Sequence, residues 1–154
     1  MTYSFMCVYQ GREDSLHSPC KVEEHDPKRK HFIGKEWNAL WDTGATCSVI
    51  TPAIVKALNI APVSYTFMSG VNGISLAPQY YVDFCLPSGV IIGKVLAVEG
   101  TPIECDLLIG MDIIGHGDFM VSCCNGTTQF GFRTPSEISK EEMARLLQTT
   151  PTQW

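Results

Sequence analysis

The sequence predicts an all-β protein folded as a closed barrel, and three observations carry that prediction. Short segments rich in β-branched and aromatic residues recur along the chain, and several alternate apolar with polar residues at a period of two. Turn signals separate them, Asn125-Gly126 being the strongest two-residue hairpin signal. Helical spacing is confined to a few short stretches. Many short strands with few helices make a β-barrel rather than a layered α/β fold.

The elements follow in order. Residues 2–9 read as a strand and residues 10–20, polar and ending in Ser18-Pro19, as a loop. Residues 21–31 read as a ragged strand and turn. Residues 32–36 read as a short strand whose tight turn leads, as a hairpin, into a strand ending at Asp42. Thr51 and Pro52 open a helix as N-cap and first residue, with Ile54, Ala57 and Leu58 facing the barrel. Residues 63–68 and 74–86 are two strands about a glycine-bearing tip. In the second, Tyr80, Val82, Phe84 and Leu86 alternate with Tyr81, Asp83 and Cys85. Residues 90–98 form a strand interrupted at Gly93 and Lys94, residues 106–109 a short buried strand, and residues 111–114 about one helical turn. Residues 118–124 and 127–133 flank Asn125-Gly126. Ser139 and Glu142 match a capping box, and the helix behind them carries Met143, Leu146 and Leu147 on one stripe, suited to the barrel or to a partner.

A chain of 154 residues is one domain by length and can bury a sizeable core. Its 45% hydrophobic and 18% charged residues exclude a disordered or fibrous class. A net charge of −5 argues against a nucleic-acid partner. The basic run Lys28-Arg29-Lys30 follows Glu23, Glu24 and Asp26 and reads as a solvated turn. No segment carries the pattern of a signal peptide, and no run approaches the length of a membrane span. The expected location is therefore cytoplasmic, with the seven cysteines as reduced thiols. No metal site is expected. Cys20, His25 and His31 are loosely spaced, Cys123 and Cys124 point to opposite faces of a strand, and no Cys-x2-Cys pair occurs.

The chemistry centres on Trp41-Asp42-Thr43-Gly44-Ala45. A carboxylate in such apolar surroundings must be paired, hydrogen-bonded or partly protonated. Taken alone, Asp-Thr-Gly is as well explained by a strand ending in an Asx-type turn. It is followed, however, by a glycine-bearing hairpin tip at Ser69-Gly70-Val71-Asn72-Gly73, and then by Leu107-Leu108-Ile109-Gly110 before a helix. In that order and spacing the three motifs resemble the retropepsin-like aspartic proteases, over roughly residues 30–122. A weak internal echo, a strand ending in Asp-Thr-Gly and another ending in Leu-Ile-Gly before a helix, resembles the duplication within that fold.

The resemblance implies a retropepsin-like barrel over about residues 30–134, within a single domain spanning residues 1–154, and a C-terminal helical extension over about 135–154. One short helix follows the active-site strands and another follows Gly110. It implies that Asp42 is catalytic, that Thr43 bonds across a dimer axis, and that Gly44 offers its carbonyl to substrate. Ala45 stands where some relatives have Ser, so one donor to the carboxylate is lost. Ser69, Gly70, Val71, Asn72 and Gly73 would form a flap over substrate, and Ile109 and Gly110 the supporting loop. Thr46 and Trp41 depart from the family pattern, which has an acid at the first position in many viral relatives and an aliphatic residue at the second. Asp112, opening a helix, is expected to be structural.

Peptide hydrolysis by carboxylates needs two of them sharing a proton, and this chain carries one Asp-Thr-Gly. The expected partner is therefore a second copy, forming a homodimer that acts on a peptide or protein substrate without cofactor or metal. Nucleic acid and membrane are not expected partners. The alternative is the same fold kept as a peptide-binding or dimerisation module with little or no turnover. The first twenty residues are also read as a segment that self-cleavage could trim.

Overall fold

The computed structural model describes residues 1–70 and 73–151. Among these residues ten strands and three α-helices follow in order: β1 (Tyr3–Gln10), β2 (Leu16–Glu24), β3 (Trp37–Trp41), β4 (Val49–Ile50), α1 (Pro52–Leu58), β5 (Ser64–Gly70), β6 (Gly73–Leu86), β7 (Val90–Glu99), β8 (Leu107–Ile109), α2 (Met111–Ile114), β9 (Asp118–Cys124), β10 (Thr127–Thr134) and α3 (Lys140–Leu147). Seven strands form one sheet in the order β2-β3-β8-β4-β7-β6-β5, and a further pairing of β2 with β6 closes six of them into a ring. Strand β5 hangs outside the ring as one arm of the β5–β6 hairpin. Strands β1, β10 and β9 form a second, three-stranded sheet.

Aromatic contacts on Trp41 join the two sheets in the core. Phe5 of β1 and Phe130 and Phe132 of β10 are buried on the inner face of the small sheet. They gather round Trp41 at the end of β3, with ring centroids 5.3 to 5.7 Å away, and Phe119 of β9 stacks on the same indole at 5.4 Å. The indole N–H donates to the buried Ser18 hydroxyl at 2.9 Å. Trp41 is thus core, and it ties the barrel to the small sheet.

Several local expectations are corrected. Residues 16–20 are not loop but the first half of β2, and they pair with β3 from Leu16↔Trp41 to Cys20↔Trp37. Pro19 is tolerated because this half of β2 pairs on one side only, β6 meeting it from Lys21 onward. Residues 32–36 are not a strand. The Glu23 carboxylate takes the N–H groups of Ile33 and Gly34 at 3.0 and 3.1 Å, so a side chain replaces the ladder. Thr51 caps α1 by position, but its hydroxyl makes no capping bond and is buried without a hydrogen-bond partner among the described residues. In α1, Ile54, Val55 and Leu58 pack on the core, whereas Ala57 is exposed. The break at Gly93-Lys94 does not end β7. It lies opposite a bulge between Val82 and Phe84, where buried Asp83 accepts the Lys94 N–H at 2.7 Å and lies 2.7 Å from His25 Nδ1. Trimming the first twenty residues would remove β1, with Phe5, and the Ser18 partner of Trp41.

Candidate active site

Strand β3 places Asp42, and two neighbours fix where β3 ends. It runs antiparallel to β2 and parallel to β8, in the register Ala39↔Leu107, Leu40↔Leu108 and Trp41↔Ile109. The Asp42 N–H continues that ladder to the Ile109 carbonyl at 3.0 Å. Asp42 and Gly110 are thus level, each just beyond the end of a parallel strand.

The chain then turns tightly. The Gly44 N–H donates to Asp42 Oδ1 at 2.8 Å, and the Ala45 N–H to the Asp42 carbonyl at 3.2 Å. This is an Asx-type turn, so the simplest reading of Asp-Thr-Gly holds for the local geometry. Asp42 is half-buried, while Thr43 and Gly44 are exposed. Among the described residues Asp42 has neither a hydrogen bond nor an ion pair to a second carboxylate.

The loop beyond β8 clasps this turn. The Met111 N–H donates to the Ala45 carbonyl at 2.8 Å. A Cβ on Gly110 would stand 2.7 Å from the Cys47 carbonyl carbon and oxygen and 3.0 Å from the Ala45 oxygen. No side chain fits there, so the need for glycine is steric rather than conformational.

Ser48 is the residue that sequence reasoning missed. It is fully buried. Its hydroxyl donates to Asp112 Oδ1 at 2.7 Å and accepts the Gly110 N–H at 3.1 Å, while its own N–H donates to Asp112 Oδ2 at 2.9 Å. Its carbonyl accepts the Val98 N–H at 3.0 Å. Asp112 is structural, as expected, but acts through Ser48 as well as from the first turn of α2. The sequence signal was a lone hydroxyl before the apolar pair Val49-Ile50. Cys47, beside it, has its thiol pushed up by burial and then by the Asp112 charge.

The hairpin of β5 and β6 keeps strand pairing up to Gly70↔Gly73, and Gly73 has a φ of 102°, which only glycine adopts readily. Ser69 and Gly73 are exposed, and no hydrogen bond joins either to the Asp42 turn. Val71 and Asn72 lie outside the described residues. Gly100 faces this hairpin: a Cβ there would stand 3.5 Å from Met68 Cε and 2.8 Å from Val49 Cγ1. Nearby, the buried Tyr80 hydroxyl donates to Glu99 at 2.7 Å, and burial, then Glu99, pushes it up to about 12.

Elsewhere, a cleft of about 410 Å³ is lined by Lys21, Lys30, His31, Glu36 and Cys85. It sits at the Trp37 end of β3, opposite to Asp42, and shares no residue with the three motifs. Among the described residues no group of three His, Cys, Asp or Glu side chains is arranged to hold a metal ion. No helix among them is long and apolar enough to cross a membrane.

Comparison with known proteins shows the fold. A retropepsin-like aspartic protease from Rickettsia conorii aligns with a TM-score of 0.59 and 14% identity, over 87% of this chain and 96% of that one. The foamy viral protease-reverse transcriptase in complex with an RNA/DNA hybrid aligns with a TM-score of 0.47 and 23% identity, over 66% of this chain and 12% of that one. The simian foamy virus protease aligns with a TM-score of 0.44 and 19% identity, over 65% and 92%. No family model matches the chain, and no curated protein does. The chain has a retropepsin-like all-β fold.

Proposed function

We propose that the chain is an aspartic endopeptidase, active as a two-fold homodimer in which the Asp42 carboxylates of two copies meet at the axis. One observation carries the reading: a single carboxylate stands half-buried on a turn clasped by the loop after β8, with no second carboxylate bonded to it among the described residues. Such rigidity suits a group that must be placed to within hydrogen-bond reach of a reacting atom. Two carboxylates about 3 Å apart cannot both ionise, so the pair shares one proton.

The chemistry then follows from that shared proton. The ionised carboxylate takes a proton from water as the water oxygen attacks the peptide carbonyl carbon. The protonated carboxyl gives its proton to the carbonyl oxygen, leaving a neutral tetrahedral diol. Collapse of the diol breaks the carbon–nitrogen bond, with one proton passing to the leaving amine and one returning to the pair. In this reading Thr43 bonds across the axis, Gly44 offers its carbonyl to substrate, and Ala45 adds no hydroxyl to the carboxylates. Ser69, Gly70, Val71, Asn72 and Gly73 close over the substrate, and Ile109 and Gly110 support the Asp42 turn.

The test is cleavage of a denatured protein or peptide library across pH 3 to 7, a window set by carboxyl titration. Asp42→Asn should lower turnover by at least about 10²-fold while leaving the fold intact. No cleavage by either protein, with tight peptide binding by both, would establish a binding module instead.

A further inference from the structure

We propose that α3 is an exchanged arm: in a symmetric pair, each copy lays α3 across the outer face of the small sheet of the other. The proposal adds the docking surfaces to the dimer reading above and rests on that reading for its catalytic consequence and for setting the β5–β6 hairpin aside as a rival surface.

Helix α3 has no buried residue, although its capping box is complete, with Ser139 Oγ accepting the Glu142 N–H and Glu142 accepting the Ser139 N–H. Met143 is 40% exposed, and Leu146 and Leu147 are each 65% exposed. A helix this short is marginal in water without a covered apolar face. Its root, in contrast, is fixed. Asp118 accepts from Arg133 Nε and Nη2 at 2.8 and 2.6 Å, from the Ser136 hydroxyl at 2.5 Å and from the Glu137 N–H at 2.9 Å. The root sets the exit direction, and the helix leaves without burying its stripe against its own sheet.

The matching surface begins at that same corner. On the outer face of the small sheet, Met6, Gly131 and Met120 stand in one row across β1, β10 and β9. Met6 is 66% and Met120 50% exposed. Gly131 leaves a notch between them, part of a trough of about 250 Å³ that also takes in Asp118 and Arg133. Three strands span roughly 10 Å and an eight-residue helix is about 12 Å long, so the lengths agree. An apolar knob from α3 fits a notch flanked by flexible methionines.

A second copy is the occupant because one chain carries both halves, and two-fold symmetry uses each half twice. The large apolar side chains of stripe and trough, doubled by symmetry, approach the ~1,000 Å² that a stable contact needs. Tyr65, Phe67, Ile74 and Leu76 on the β5–β6 hairpin form another exposed apolar face, but it lies on the element that must move over substrate in the proposed reaction.

Sedimentation velocity and peptidase assays on the full chain test this. The wild type should dimerise. Leu146→Asp with Leu147→Asp, and Met120→Asp separately, should each raise the dimer dissociation constant about tenfold or more. Phe67→Asp should not, and Met120→Lys combined with Leu146→Glu should recover part of the loss. Circular dichroism and tryptophan fluorescence check that each variant folds. A wild type monomeric at every concentration would overturn the proposal, as would arm variants that dimerise normally or a dimer lost only with Phe67→Asp. Arm variants that are dimeric and active leave the catalytic reading standing. Arm variants that are monomeric yet fully active leave the arm standing and sink the catalytic dimer.

Discussion

At the scale of single residues, the site depends on how closely two loops approach. Gly110 sits where a methyl group would meet the Cys47 carbonyl at 2.7 Å, and backbone cannot yield as a side-chain tip can. Gly110→Ala should therefore cost about 1–3 kcal/mol in urea unfolding and lower any peptidase activity, because relief of the clash displaces the Asp42 turn. An unchanged midpoint would show that the loops separate freely. Asp42 and Gly110 were legible in the sequence because each belongs to a short local pattern. Ser48 was not, since its meaning comes from Asp112, sixty-four positions away. Asp83 was missed for a similar reason: period two places it on a polar face, but a bulge turns it inward to three partners.

At the scale of elements, local signals were read well and pairings between distant segments were not. The β9–β10 hairpin, the one-turn α2 and the capping box of α3 each announce themselves within a few residues. The partner of β3 did not, because the β2–β3 pairing spans an intervening loop whose N–H groups are met by a side chain. The root of α3 has a defined dependence on acidity. Burial of Asp118 opposes its ionisation, but the Glu137 N–H, the Ser136 hydroxyl and Arg133 outweigh it and bring it down to about 2. Its folded value lies below the unfolded one, so its stabilisation is present above about pH 4 and is lost as pH falls towards about 2. Thermal melts across that range should show a steeper loss for the wild type than for Asp118→Asn. Parallel curves would mean that the cluster contributes nothing.

At the scale of the whole molecule, the closed ring of six strands was predicted as a barrel, while the separate three-stranded sheet was not anticipated. It joins β1 from one end of the chain to β9 and β10 near the other, and periodicity does not report such pairing. One Asp42 per chain gives the proposed dimer a measurable signature: specific activity should fall on dilution, below the dissociation constant, and recover on concentration. Constant specific activity over that range would rule out catalysis shared between copies. The meeting of β1 with β10 also bears on synthesis. Thr127–Thr134 leaves the ribosome long after Tyr3–Gln10, so Phe5 and Trp41 wait for their aromatic companions until β10 has been made. A nascent chain stalled before that point presents bare aromatic surface to its surroundings, the kind of surface that holding chaperones bind.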